Sequence, residues 1–376
     1  MTGVKVLFTS CPAYGHALPM LPLIRAAMAA GADVRVATGP DLVDPLRDRG
    51  LDARPAGPPW TESWAEHNRI WADPGHPGDK MLDGVIALFG SPAGRRLDDL
   101  TAMARDWRPD LVVHEVLELG GSILAGRLGV RSVVHGFGPM FPFYAHLAGP
   151  AGAAAGDDDL WATLSQETYL DICPPALRPD GPPAWTASLP LRPSSGERGP
   201  VSPDVAELLR RERSLAYFTL GTVKNEDAAD LATGLAGLAE YDGHVLATTG
   251  RPVDPDELGP LPANVTLAAF VPQGSVLPHA DLVVSHSGSG TMLGAFRHGL
   301  AQVAVPRGTD QPENAALMAR TGAGVVVPPE NYTVEAVRAA VETVTSGPEW
   351  FAAAQRVRDE IDVLPDADEV WSNLSG

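Results

Sequence analysis

Short apolar runs alternate with helical periodicity along most of the chain. Val4-Lys5-Val6-Leu7-Phe8-Thr9 ends in a turn of Ser, Cys, Pro and Gly, and such a run suits a buried parallel strand. Residues 18–30 then carry apolar positions at helical spacing and stop at Gly31. Asp33-Val34-Arg35-Val36-Ala37-Thr38 is the next strand, which completes a βαβ unit. The rhythm returns at Leu111–His114, a helix near Gly120–Leu128, and Ser132–His135. It restarts at Ala216–Leu220, a helix over 226–240, and His244–Thr248, with further strands at Asp281–Ser285 and Gln302–Pro306. Between these halves lie nine prolines from Pro174 to Pro203, a density at which no regular element is expected. The pattern predicts an α/β chain of two doubly wound, Rossmann-like domains that aim their loops at a shared cleft. The expected boundaries are an N-terminal domain over 1–193, a linker over 194–213, a C-terminal domain over 214–355, and a terminal segment over 356–376.

Length agrees with two domains, since 376 residues exceed one ordinary core. The net charge of −19 disfavours nucleic acid and anionic membrane as partners. Two distant cysteines, Cys11 and Cys173, make neither a disulfide scaffold nor a zinc motif, and fit a cytoplasmic setting. The apolar start of the chain is broken by Pro12, Gly15, His16, Pro19 and Pro22, so it reads as strand and helix rather than a targeting peptide. No uninterrupted apolar stretch reaches the ~18 residues that would span a bilayer.

The segment with the clearest chemistry is His286-Ser287-Gly288-Ser289-Gly290-Thr291, between a strand and an expected helix. Glycines there admit a ligand close to the backbone, and the free N–H groups of the first helical turn point at an anion. Ser289 and Thr291 can add hydroxyl donors, and His286 a ring N–H. A dinucleotide fingerprint fails because Leu293 stands where a third glycine belongs. Two acidic runs, Asp157-Asp158-Asp159 and Asp366-Ala367-Asp368, lie in polar turns and read as solvated surface rather than metal motifs.

Taken in order, Gly15-His16, Arg108–Val113, Phe270-Val271-Pro272-Gln273, the glycine-rich turn, Gly299–Gln302 and Asp310-Gln311 resemble the signature of GT-B family 1 glycosyltransferases, closest to their bacterial natural-product (antibiotic aglycone) branch. The resemblance covers nearly the whole chain. It implies an inverting, metal-independent sugar transfer with no cofactor. The donor is then a dTDP-sugar or UDP-sugar held by the C-terminal domain. The acceptor is a large apolar aglycone held by the N-terminal one, and the last helix crosses back to that domain. The resemblance leaves a homodimer open. Phe270 would stack on the base, Val271 would read its edge through the backbone, and Thr222, His286, Gly288, Ser289, Gly290 and Thr291 would hold the diphosphate. Asp310 and Gln311 would hold sugar hydroxyls.

His16 would be the general base and Glu115 its partner, with Glu118 a competitor. Plant members carry a ribose-gripping Glu where this chain has Gly294, which favours deoxythymidine over uridine. Ala301 replaces a usual proline without evident consequence. Trp60, Trp64, Trp71, Phe89 and the run 137–144 offer an aromatic acceptor lining. Two rival readings remain: a nucleotide-sugar 2-epimerase of the same fold, and a non-catalytic nucleotide-sugar binding protein.

Overall fold

The computed structural model describes residues 3–140, 145–155, 159–180, 185–210, 212–221, 228–250 and 255–375. Among the described residues, the first sheet contains β1 (Lys5–Thr9), β2 (Asp33–Thr38), β3 (Ala53–Pro55), β4 (Leu111–Glu115), β5 (Arg131–His135), β6 (Thr168–Asp171) and β7 (Ala187–Pro190) in the order 3-2-1-4-5-6-7. The second contains β8 (Leu215–Thr219), β9 (His244–Thr248), β10 (Val265–Ala268), β11 (Leu282–Ser285), β12 (Ala301–Ala304) and β13 (Gly324–Val326) in the order 10-9-8-11-12-13. All these pairings are parallel. Helices cover a parallel sheet on both faces, so its central strands are mostly apolar, with polar residues gathered at their ends. Val6, Leu7, Phe8, Val112 and Val113 in one sheet, and Val283 and Val284 in the other, have at most 1% exposure.

The chain forms two compact units. One comprises residues 1–172, 179–191 and 365–376; the other comprises 173–178 and 192–364. The segment expected as a linker, 194–213, is packed: its helix Pro203–Leu208 buries Val205 and Leu208 against Leu215 and Tyr217. The proline-rich stretch, expected to hold no regular element, contains the 3-10 turn Pro175–Leu177 and strand β7. A strand survives there because β7 lies at the sheet edge, where Pro190 removes no interior ladder bond. The expected terminal segment starts inside the helix Glu349–Asp362 and contains one further helix, Ala367–Ser375. The latter buries Val370, Trp371 and Leu374 within the first unit, and Arg131 donates to the Leu374 carbonyl at 2.8 Å. Among the described residues no helix is long and apolar enough to cross a membrane.

Each sheet reverses direction of growth at one place, between β1 and β4 in the first and between β8 and β11 in the second. Open α/β sheets bind ligands beyond the C-terminal strand ends at such switch points. A cavity of about 470 Å³, lined by Ser214, Tyr241, Asp281 and Arg338, lies at the opposite end of the second sheet, before β8 and β11 begin.

Candidate active site

In the first unit, His16 sits on the short helix Tyr14–Ala17 that follows β1, and Glu115 is the last residue of β4. The two strands are neighbours, with Thr9 in register with His114, so the switch point brings both side chains together. His16 Nδ1 lies 3.2 Å from Glu115 Oε2. The carboxylate is fully buried and the His16 side chain is 13% exposed. Neither atom completes a hydrogen bond among the described residues, because the pair is close but not aligned. The other carboxylate oxygen, Oε1, accepts the Leu117 N–H at 3.0 Å, which fixes the group. The His16 ring lies against Phe137 (centroids 4.6 Å apart) and Phe89 (5.4 Å). Phe89 is presented by a π-helical turn, Ile86–Gly90, a geometry frequent at functional sites. From Phe89 the rings continue through Trp60, Trp64, His67 and Trp71 on the helix Trp60–Ala72. Of the run 137–144, residues 141–144 lie outside the described residues.

Glu118, the competitor, is committed elsewhere. It caps the helix Leu119–Leu128 by accepting the N–H groups of Gly120 (2.9 Å) and Gly121 (3.0 Å). It also accepts the Thr9 hydroxyl, and Arg96 lies 3.7 Å away. A second buried cluster backs β4. His114 Nε2 lies 2.7 Å from Glu167, which also accepts from Ser122 (2.6 Å) and Ser132 (2.7 Å). Burial pulls His114 down, but the Glu167 carboxylate outweighs it and holds the imidazole above its ordinary value. Burial likewise opposes ionisation of Glu167, and His114 with the two hydroxyls brings it below the usual range. Nothing in the sequence marked Glu167, more than fifty residues from its partner, or Cys11, which lies against the dyad. Burial, and then the Glu115 charge, push the Cys11 thiol well up.

In the second unit, β11 runs into the turn His286-Ser287-Gly288, and the helix Ser289–Arg297 follows with Gly288 as its N-cap. Ser287 has φ 62°, a left-handed conformation costly for a side chain and frequent at ligand clamps. Glycine is required at two places here. A Cβ on Gly288 would lie 2.4 Å from His286 Nε2, and one on Gly221 (φ 80°) 2.6 Å from the same atom. His286 is thus held between two backbones, with Nδ1 unpartnered among the described residues. Burial pushes its pKa down to about 4 against the pull of Asp310, although the ring keeps some solvent contact.

The turn has a latch that sequence reading missed. Asn314 is fully buried, and its amide donates to the Ser287 carbonyl (3.2 Å), Ser289 Oγ (3.0 Å) and Asp310 Oδ2 (2.8 Å). Its signal was its place one helical turn after Asp310. The Ser289 hydroxyl, expected as a ligand donor, donates to Asp310 Oδ2 at 3.0 Å. Gln311 Oε1 accepts the Arg307 N–H at 2.8 Å, and Thr291 Oγ1 accepts from Gln273 at 3.0 Å. Gly290 is exposed on the first turn of the helix. Phe270 is 62% exposed, whereas Val271 beside it is packed into the core. A Cβ on Gly294 would meet Leu277 Cδ1 at 3.0 Å and the Ser195 carbonyl at 3.5 Å, so no side chain extends from that position. Thr222 lies outside the described residues. Of the acidic runs, Asp366 caps the terminal helix through the N–H groups of Asp368 and Glu369, Asp159 is exposed, and Asp157 and Asp158 lie outside the described residues.

These geometries have relatives. Family models described as the C-terminal and N-terminal domains of erythromycin biosynthesis protein CIII-like proteins match residues 232–375 and 86–187. L-demethylnoviosyl transferase of Streptomyces niveus is 32% identical, the match covering 95% of this chain and 94% of the relative. Tylactone mycaminosyltransferase of Streptomyces fradiae is 31% identical over 95% of this chain and 89% of its own length. The solved structure of glycosyltransferase VinC in complex with dTDP superposes with a TM-score of 0.76 at 27% identity, covering 99% of this chain and 98% of VinC. With a GT-B architecture and relatives above 30% identity along almost its full length, the chain belongs to the EryCIII-like glycosyltransferases of bacterial natural-product pathways.

Proposed function

We propose that the protein moves a deoxysugar from a dTDP-sugar to a hydroxyl of an apolar natural-product aglycone, with inversion at the anomeric carbon and His16 as general base. The observation that carries this reading is the His16–Glu115 pair, 3.2 Å apart at the switch point of the first sheet. The acceptor hydroxyl must lose its proton as it attacks. Neutral His16 takes that proton on Nε2, and the buried Glu115 carboxylate stabilises the imidazolium that forms. The rings of Phe89 and Phe137 pack against the imidazole and shield part of it from water.

On the donor side, the N-terminus of the helix Ser289–Arg297 meets the diphosphate, so the leaving group gains its stabilisation from backbone N–H groups. Exposed Phe270 offers a stacking face for the base. Asp310, already accepting from Ser289, Asn314 and Thr309, presents a fixed carboxylate towards the sugar hydroxyls, with Gln311 next to it in sequence. The absence of any side chain at Gly294 removes the site for a carboxylate grip on a ribose diol. A deoxyribose loses nothing by that, which supports dTDP over UDP, as does the dTDP bound to VinC. Calorimetry tests the donor: dTDP should bind more tightly than UDP, and UDP binding at least about tenfold tighter than dTDP, a 1.4 kcal/mol reversal, refutes the assignment.

A further inference from the structure

Cys11 has no part in the transfer chemistry, yet it lies against both members of the dyad. Its Sγ, a ring nitrogen of His16 and a carboxylate oxygen of Glu115 are all within 4.8 Å of one another. Glu115 Oε2 and His16 Nδ1 face each other at 3.2 Å without completing a hydrogen bond among the described residues, and the buried Cys11 thiol lies against the same carboxylate. A thiol, an imidazole and a carboxylate therefore converge on one point, and the partly exposed edge of His16 leaves it a route to solvent.

We propose that Cys11, His16 and Glu115 form a Zn²⁺ site whose occupation switches off sugar transfer. The inhibitory part rests on the reading of His16 as general base; the binding part does not. Zinc takes S, N and O donors at about 2.0–2.3 Å in a tetrahedron, which spaces its ligands roughly 3.3–3.8 Å apart. The three donors reach that spacing by closing about 1 Å, and water fills the fourth position. On binding, the Cys11 S–H bond breaks, its proton passes to bulk water and an S–Zn bond forms. The Nδ1 lone pair of neutral His16 makes the second bond, so the ring proton must sit on Nε2. An imidazole metallated on Nδ1 and protonated on Nε2 has no lone pair left to take the acceptor's proton. The mixed donor set selects Zn²⁺ or Co²⁺ and rejects Mg²⁺, which wants oxygen ligands alone.

The test uses the full chain stripped of metal. Titration with Co²⁺ should reach one equivalent with a thiolate-to-cobalt charge-transfer band that Zn²⁺ discharges and Mg²⁺ does not. The band should vanish in Cys11→Ser and persist in Cys173→Ser. Because losing an outer-shell partner already costs 10–100-fold in metal affinity, Cys11→Ser should weaken Zn²⁺ by at least about 100-fold. X-ray absorption of the zinc-loaded parent should show one sulfur at about 2.3 Å, independently of how any variant folds. A shell of oxygen and nitrogen only, or a band that survives in Cys11→Ser, overturns the site. Transfer by the parent should fall as the site fills, and Cys11→Ser should resist zinc. Tight binding at Cys11 with undiminished turnover overturns the inhibitory role and counts against His16 as the base, whereas absent binding leaves that reading untouched.

Discussion

Replacing Glu115 by Gln removes one charge and almost no volume. The carboxylate oxygen faces His16 Nδ1 at 3.2 Å from a fully buried position. At an effective dielectric of about 20, the Coulomb energy between a full imidazolium and that carboxylate is about 5 kcal/mol. A transition state in which the acceptor proton is half transferred realises about half of that, or about 2.5 kcal/mol. At 1.36 kcal/mol per decade these limits predict a fall in kcat of roughly 10²- to 10⁴-fold. The exposed edge of His16 places the result nearer the lower limit. Gln keeps an oxygen for the Leu117 N–H, so the fold should hold. The assay is steady-state transfer with a dTDP-sugar and an acceptor that the parent glycosylates, run beside calorimetry of dTDP and a thermal melt. The expected result is a depressed kcat with unchanged dTDP affinity and a melting temperature within a few degrees of the parent. A kcat within about threefold of the parent, with folding intact, refutes the role given to Glu115.

Other expectations follow from the same geometry. Asn314→Ala strips three hydrogen bonds from the left-handed Ser287 turn and its neighbours, and should cost about 2–3 kcal/mol in thermal unfolding and at least about tenfold in dTDP affinity. Phe270→Ala removes an exposed ring that packs into no core, so calorimetry should show dTDP weakened by about 1–3 kcal/mol while the melting temperature stays put. Gly288→Ala should abolish dTDP binding in the same measurement, because its Cβ would sit 2.4 Å from His286 Nε2.

A further expectation concerns pH. His135 is fully buried and depressed from 6.5 to about 4, mainly by burial. The unfolded state therefore binds its proton first as pH falls, and the stability carried by neutral His135 is complete above 6.5 and lost between 6.5 and about 4. At 1.36 kcal/mol per unit that loss is about 3 kcal/mol. Melts over this window should show His135→Gln with a flatter acid limb than the parent; an equally steep limb refutes the assignment.

Much of the molecule was readable from sequence because its central strands are continuous apolar runs. Lys5–Thr9, Leu111–Glu115 and Leu282–Ser285 declare themselves, and the glycine-rich turn follows the last of these. Short edge elements did not. β3 and β13 have three residues each and β7 and β10 four, too few to establish a period, and β7 lies inside a proline-rich stretch. The prolines hid the packing of Val205 and Leu208 for the same reason: they mark where a chain turns, not whether it is buried. At the site, the resemblance named His16 and Glu115, and the structure brings the two within 3.2 Å of each other. The choice between Glu115 and Glu118 was not legible, since one ends β4 and the other lies three residues on, both fully buried, and only the commitment of Glu118 to a helix N-terminus separates them. Glu167 and Cys11 were invisible because one depends on a partner 53 residues away and the other on the meeting of two strands, and of the Asn314 bonds only that to Asp310, four residues back, could be read, not those to Ser287 and Ser289. Ser289 looked like a free donor until Asp310 was found to accept from it.

The central claim is that His16 takes the acceptor proton. The direct measurement is single-turnover transfer by His16→Ala, with glycoside detected by mass spectrometry and dTDP affinity measured in parallel. Removal of a positioned general base predicts a rate lower by at least about 10²–10⁴-fold with dTDP affinity unchanged. Glycoside formed by His16→Ala at the parent rate contradicts the mechanism.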